Sequence, residues 1–246
     1  MKSILASAAV LALGLGLAAC AGVPATPVPQ DDLPASLQPH APEAFVPPPG
    51  AFVLLNADVP LGEAAVWSGS AAAADSAADA CRAPEGSGRT EPNLCLAEGL
   101  KAAGAAQPAV LAAEWLSTKG DPGYLSGWRR EGSIGIATVT RPLRANTNTE
   151  TLLVPPTGAA LFIDEAPAIG FETDAIWTGF KAKRPDAFPV PPLELVASER
   201  HLLGWRLVYG VPLRDCRACE DAGRMLIAYD FDSSGGFKER RLLSID

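Results

Sequence analysis

Two stretches near the C-terminus constrain the fold most. Trp205, Leu207, Tyr209 and Val211 occupy every second position, and so do Met225, Ile227, Tyr229 and Phe231. Successive side chains of a strand point to opposite faces, so a two-residue period of this length predicts two strands, each burying one face. Asp232-Ser233-Ser234-Gly235-Gly236 follows, with the short polar side chains and the glycines that tight turns use. Phe237 to Leu243 then returns as a last strand. Consecutive strands joined by short connections predict an antiparallel meander.

The pattern upstream is different. From Glu63 to Gly132 it is helical. Ala71 to Ala80 is alanine-rich, with Ser70 placed to cap it. Asn93 is placed to cap a second helix, with Leu96, Leu100 and Ala103 on one face. Pro108 suits the first turn of a third, in which Leu111 and Trp115 lie one turn apart, and Gly120 ends it. Asp121-Pro122-Gly123 opens a short further piece carrying Leu125 and Trp128.

After Ser133 the chain turns to strands: Ser133 to Thr140, Thr151 to Val154 and the short run Ala160 to Ile163, with a polar turn at Arg144 to Glu150. Glu172 to Lys183 is ambiguous, with helical spacing at Ile176 and Phe180, and Pro185 to Pro192 reads as a loop with four prolines. Phe52-Val53-Leu54-Leu55 reads as the first strand. The predicted class is α+β, with N-terminal helices packed on a mainly antiparallel sheet that ends in the C-terminal β-meander. No internal repeat is visible.

The N-terminus is of another kind. Met1-Lys2 is a short cationic start, and Ile4 to Leu17 is apolar and rich in Ala, Leu and Gly. The run breaks at Cys20-Ala21-Gly22 and again at Pro24, too soon for the roughly 20 apolar residues that cross a bilayer. It reads as a secretory signal. Leu17-Ala18-Ala19-Cys20 resembles the lipobox of bacterial lipoproteins. That resemblance implies cleavage before Cys20, a diacylglycerol on its sulfur and a third acyl chain on its amine. Ala21, rather than Asp, implies sorting to the outer membrane. The expected organisation is a signal peptide at 1–19, an acylated Cys20 with a proline-rich tether at 20–51, and one α+β domain at 52–246. Ala21 to Pro60 carries ten prolines, including Pro47-Pro48-Pro49, which favours extended, semi-rigid chain. His40 falls in it and reads as solvated.

Net charge is −8 and the isoelectric point about 4.9, with no basic run. That balance excludes nucleic acid as a partner and argues against electrostatic attraction to anionic lipid. Membrane contact is therefore assigned to the acyl chains on Cys20, with an envelope protein or a glycan as the further partner.

Four other cysteines remain: Cys81, Cys95, Cys216 and Cys219. An even count in an oxidising compartment reads as disulfides. Three pairings exist, and proximity favours Cys81–Cys95 with Cys216–Cys219. The first closes a loop of about 15 residues, worth roughly 3 kcal/mol in loop entropy.

Cys216-Arg217-Ala218-Cys219 also has the spacing of a redox dithiol. Such a pair wants the start of a long helix, where the thiolate is stabilised. Here only Glu220 to Gly223 separates it from the next strand, and Glu220 and Asp221 oppose a thiolate. A pin between two strands is the better reading, and a thiol–disulfide oxidoreductase the alternative. The C-terminal stretch, with Cys-x-x-Cys, a strand ending in Asp-Phe-Asp and a Gly turn, resembles uncharacterised exported proteins of Gram-negative bacteria. That resemblance implies no mechanism.

Other constellations are incomplete. Asp230-x-Asp232-x-Ser234-Gly235 starts like a calcium loop, but the twelfth position, which must supply a bidentate acid, is Arg241. A four-cysteine zinc site would need Cys81 and Cys95 to converge on Cys216 and Cys219, and their 13-residue gap is not the usual close pair. His201, with Ser198 and Glu199 beside it, lacks the elbow and metal motifs of hydrolases. Glu63, Asp164, Glu165, Glu172 and Asp174 are available to a carboxylate-dependent cell-wall hydrolase, but spacing selects no two of them. Trp67, Trp115, Trp128, Trp177 and Trp205 are candidates for an aromatic groove. No cofactor and no metal are expected. The reading reached is a lipid-anchored envelope protein whose domain is a non-catalytic binding or structural module in the periplasm.

Overall fold

The computed structural model describes residues 54–55, 59, 61–82, 94–145, 148–156, 159–164 and 167–246. The signal peptide, Cys20, the tether, His40, the Asn93 cap and Glu165 lie outside the described residues.

Three helices precede the main strands: α1 (Ala71–Ala80), α2 (Cys95–Ala102) and α3 (Gln107–Thr118). The Ser70 hydroxyl accepts from the Ala73 N–H at 3.2 Å, so one of the free donors at the α1 N-terminus is satisfied. Pro108 sits in the first turn of α3, where its missing N–H costs nothing. Small residues let the helices approach closely. A Cβ on Gly99 of α2 would come within 2.8 Å of the Ala77 Cβ on α1. Leu96, Leu100, Val110 and Trp67 fill the space around those alanines.

The strands form two five-stranded antiparallel sheets. The first holds β1 (Leu54–Leu55), β2 (Tyr124–Glu131), β3 (Ile134–Thr140), β4 (Thr149–Val154) and β5 (Ala160–Phe162), in the order β1-β5-β4-β3-β2. The second holds β6 (Phe188–Pro189), β7 (Glu194–His201), β8 (Gly204–Arg214), β9 (Gly223–Asp232) and β10 (Phe237–Ile245). Strands β7 to β10 pair in sequence order, which is the meander, while β6 pairs with the far end of β8. Between the sheets, α4 (Ala175–Lys181) starts at Asp174, whose carboxylate accepts from the Ile176 N–H at 2.8 Å.

Alternation along the first sheet separates two cores. Ile134, Ile136, Leu153 and Leu161 face the meander, where they meet Leu207, Tyr209, Ile227 and Tyr229. Ala137, Val139, Leu152 and Phe162 face the other way, onto Ala112, Trp115 and Leu116 of α3. The layers are therefore α1 to α3, first sheet and meander; these three helices cover the first sheet, while α4 packs against β10 of the second. Strands β3 and β5 bury both faces and read as apolar runs, whereas β8 and β9, also buried on both faces over 207–211 and 227–231, alternate large apolar with small or polar residues. Each large apolar side chain fully buried here contributes about 1.5–3 kcal/mol.

Residues 124–131 correct the helical reading. They form β2, and a register shift between Leu125 and Gly127 inserts an extra residue there. Beyond the bulge, Leu125 and Trp128 point the same way, into the core beneath α3, at a spacing of three that imitates a helix. Strand β7 carries little apolar alternation, so the sequence pattern does not reveal it.

Several turns gather at one end of the two sheets. Gly132, in the β2–β3 turn, lies against the Trp205 indole. Gly235, in the β9–β10 turn with φ of 84°, lies against Pro156 and the Ser133 hydroxyl. The β7–β8 turn pairs into the same end through Gly204 and Asp232.

Candidate functional site

The cysteines pair by proximity. The sulfurs of Cys81 and Cys95 are 2.12 Å apart, with Cα atoms at 5.7 Å, and they tie the end of α1 to the start of α2. Those of Cys216 and Cys219 are 2.10 Å apart, with Cα atoms at 5.1 Å. This second bridge closes the β8–β9 connection. The Cys219 N–H donates to the Cys216 carbonyl at 3.1 Å, and the Ala222 N–H to Leu213 at 2.7 Å, so the segment is a turn between strands. Arg214 braces it by pairing with Asp221 at 2.7 Å and donating to the Arg217 carbonyl at 3.2 Å. No helix begins at Cys216, so the dipole that would stabilise a thiolate there is missing.

Of the carboxylates singled out, Asp164 and Glu172 come together. They face one cavity of about 330 Å³ with Trp177, Pro167, Pro189 and Pro191. Asp164 follows β5 and is 4% exposed. One of its oxygens accepts from the Leu193 N–H at 2.8 Å and the other from the Thr151 N–H. Burial raises its pKa above the usual carboxylate range, and these main-chain donors reduce the rise. Trp177 lies on α4 with the Lys181 ammonium 5.7 Å over its ring, and Lys181 in turn donates to the Ala187 carbonyl at 2.8 Å. Arg240 holds the far wall: it donates to the Ile169 carbonyl and stacks 4.6 Å over Phe171. The cavity thus has flat apolar faces and two carboxylates, one of them rigidly held. It suits a ligand with an apolar face and hydrogen-bond donors. Glu63 sits apart, in a 3-10 turn at Glu63–Ala65, and Asp174 caps α4.

The remaining candidates do not converge into catalytic sets. His201 lies at the β7–β8 turn, its Nδ1 accepting from the Leu203 N–H at 3.4 Å. Glu199 stands opposite Arg206 and Ser198 opposite Leu207 in the register of β7 with β8. Asp232 serves its own turn, accepting from the Ser234 N–H at 2.9 Å, the Ser234 hydroxyl at 2.6 Å and the Gly236 N–H at 2.9 Å. Asp230 takes Arg206 at 2.6 and 3.1 Å and Arg241 at 2.6 and 3.1 Å. Burial alone would raise the Asp230 pKa, but the bonds from Arg206 and Arg241 outweigh it and hold it below the usual value. Arg241, at the twelfth position, is thus an ion-pair partner. Among the described residues, no three His, Cys, Asp or Glu side chains could together hold a metal ion.

The tryptophans are dispersed. Trp67 belongs to the core between the helices, Trp115 and Trp128 to the core beneath α3, and Trp177 and Trp205 to the edge of the core between the sheets.

Two buried polar features had no signal in the sequence. Arg141 and Glu150 pair at 2.6 Å with both side chains buried, and Arg144 adds a second contact to Glu150. Tyr209 and Tyr229 stack edge to face at 5.7 Å in the core, with the Arg129 guanidinium near the Tyr209 hydroxyl and that of Arg240 near the Tyr229 hydroxyl. Burial pushes the Tyr229 phenol up to about 12 and raises that of Tyr209 further.

No family model, curated protein or solved structure matches this chain. Among the described residues, no helix is long and apolar enough to cross a membrane.

Proposed function

We propose that this chain is a cell-envelope lipoprotein, acylated at Cys20, held at the outer membrane facing the periplasm, whose domain is a non-catalytic module that binds a glycan or an envelope protein. The observation that carries the binding role is the cavity that Trp177 and three prolines line beside Asp164 and Glu172. Asp164 has both oxygens engaged by main-chain donors, which suits a fixed acceptor better than a group that must pass a proton in each turnover. The Cys216–Cys219 bridge sits in a braced turn, which favours a pin over a redox centre. The carboxyl-terminal position of Cys20 in an apolar leader, followed by Ala21, supports the anchor and its sorting.

The test titrates the full chain with soluble cell-wall glycan fragments and follows its fluorescence, in parallel with a Trp177→Leu variant. A saturable change in the parent, lost in the variant, is expected. An unchanged response in the variant would remove the cavity from the reading. The anchor is tested separately: Cys20→Ser should move the protein from the membrane fraction to the soluble fraction and remove the acyl mass. Graded reduction with thiol labelling should leave both bridges intact to below about −300 mV. Reduction of Cys216–Cys219 between about −230 and −120 mV would replace the module with the oxidoreductase reading.

A further inference from the structure

Leu202 and Leu203 form the tip of the β7–β8 hairpin, and they are 101% and 76% exposed. No other large apolar side chain among the described residues exceeds 50% exposure. A two-residue hairpin turn usually takes Asn, Asp or Gly, because these tolerate the backbone it requires. Two leucines bring no turn advantage, and both side chains stand largely in solvent. Their surroundings are also specific. Arg200, His201 and Lys238 are exposed around the tip. The acids nearby are largely engaged. Asp230 is held between Arg206 and Arg241, Asp232 by Ser234 and Gly236, and Glu239 by Arg241 at 3.0 Å. Glu199 faces Arg206 across the strands. The apolar tip thus has two exposed cations beside it, Arg200 and Lys238, in a patch whose charges otherwise balance on a chain of net charge −8.

We propose that this hairpin tip inserts into the interfacial zone of a phospholipid bilayer, with Leu202 and Leu203 among the acyl chains and Arg200 and Lys238 at the phosphates. Apolar side chains flanked by cations partition to that zone because the chains bury area while the cations meet anionic headgroups. Reach does not oppose it. The chain between Cys20 and Leu54 can extend to about 110 Å at roughly 3.3 Å per residue, so an anchored domain can turn this end toward its own membrane. The inference does not depend on acylation of Cys20.

The test uses the full chain carrying Cys20→Ser, so that a Cys introduced at position 202 is the one free thiol. Leu202→Cys is labelled with an environment-sensitive dye and mixed with vesicles of phosphatidylethanolamine and phosphatidylglycerol. The same dye on Ser198→Cys, in the preceding strand β7, is the control. Insertion is expected to shift the position-202 emission to the blue and to make it quenchable by lipid-borne nitroxide, with the control unchanged. Leu202→Ser with Leu203→Ser should weaken vesicle binding at least tenfold. Water-like emission at position 202 in the presence of vesicles overturns the proposal, whether or not the protein sediments with them. A blue shift without vesicles, accompanied by doubled mass in sedimentation, overturns it in favour of a second copy of the chain. Retained acylation of the parent at Cys20 beside a water-like tip would leave the anchor reading standing alone.

Discussion

Asp164 and Asp230 are both buried carboxylates, and their surroundings push them in opposite directions. Asp230 is held below the ordinary value of 3.8 by its two guanidiniums, against the penalty of burial. Its contribution is therefore present above the unfolded pKa and is lost as pH falls through the lower folded one. Asp230→Asn should flatten the acid limb of the stability curve in urea melts taken between neutral pH and about pH 3. Asp164 has its pKa raised by burial, so its contribution is full below the ordinary value and declines as pH rises through the raised one. The Thr151 and Leu193 donors hold the carboxyl group in place and limit the rise in its pKa. Removing it in Asp164→Ala leaves two interior N–H groups without an acceptor. A loss of at least about 2 kcal/mol in a urea melt is expected.

At the scale of elements, local signals were legible and non-local ones were not. The Ser70 cap, Pro108 in the first turn of α3 and the alternation of β8 and β9 each depend on a few neighbouring residues. The bulge in β2 defeats that logic, because one extra residue places Leu125 and Trp128 on a common face at helical spacing. Strand β7 is an edge with mostly polar side chains, so it lacked the alternation that reveals its neighbours. The cavity shows the same limit. Asp164, Glu172 and Trp177 were all visible as residues, but they meet only because the end of β5, the following loop and α4 pack together. The disulfides join near neighbours, so proximity was enough to select them. Loop entropy ranks their effects: losing Cys81–Cys95 through paired alanines should cost about 3 kcal/mol, and losing Cys216–Cys219 about 2 kcal/mol. Urea midpoints of the two double variants, compared at a common slope, check the order.

Across the whole molecule, the first sheet is shared by two cores. Helices on one side and meander on the other each bury their apolar face against it. Neither outer layer has a partner once the middle one is gone, so the domain should unfold in one step. Leu153→Ala, which empties the interior between the sheets, should cost about 2–5 kcal/mol. Far-UV signals from the backbone and near-UV signals from the buried aromatic side chains of both cores should shift by the same amount. Separate midpoints would show that the layers are independent.

Strand β1 is the thinnest part of this arrangement. Two residue pairs, Leu54 with Leu161 and Leu55 with Ala160, hold it to the edge of the central sheet. The partners are about a hundred positions apart along the chain, so this contact closes a long loop for little return. Tension arriving from the N-terminal side meets that seam before any other. A pull would peel β1 away and lengthen the leash while the layered interior stays shut. In a force–extension trace this would appear as a small early release ahead of the main rupture, a mechanical slack built in beside the stiff body.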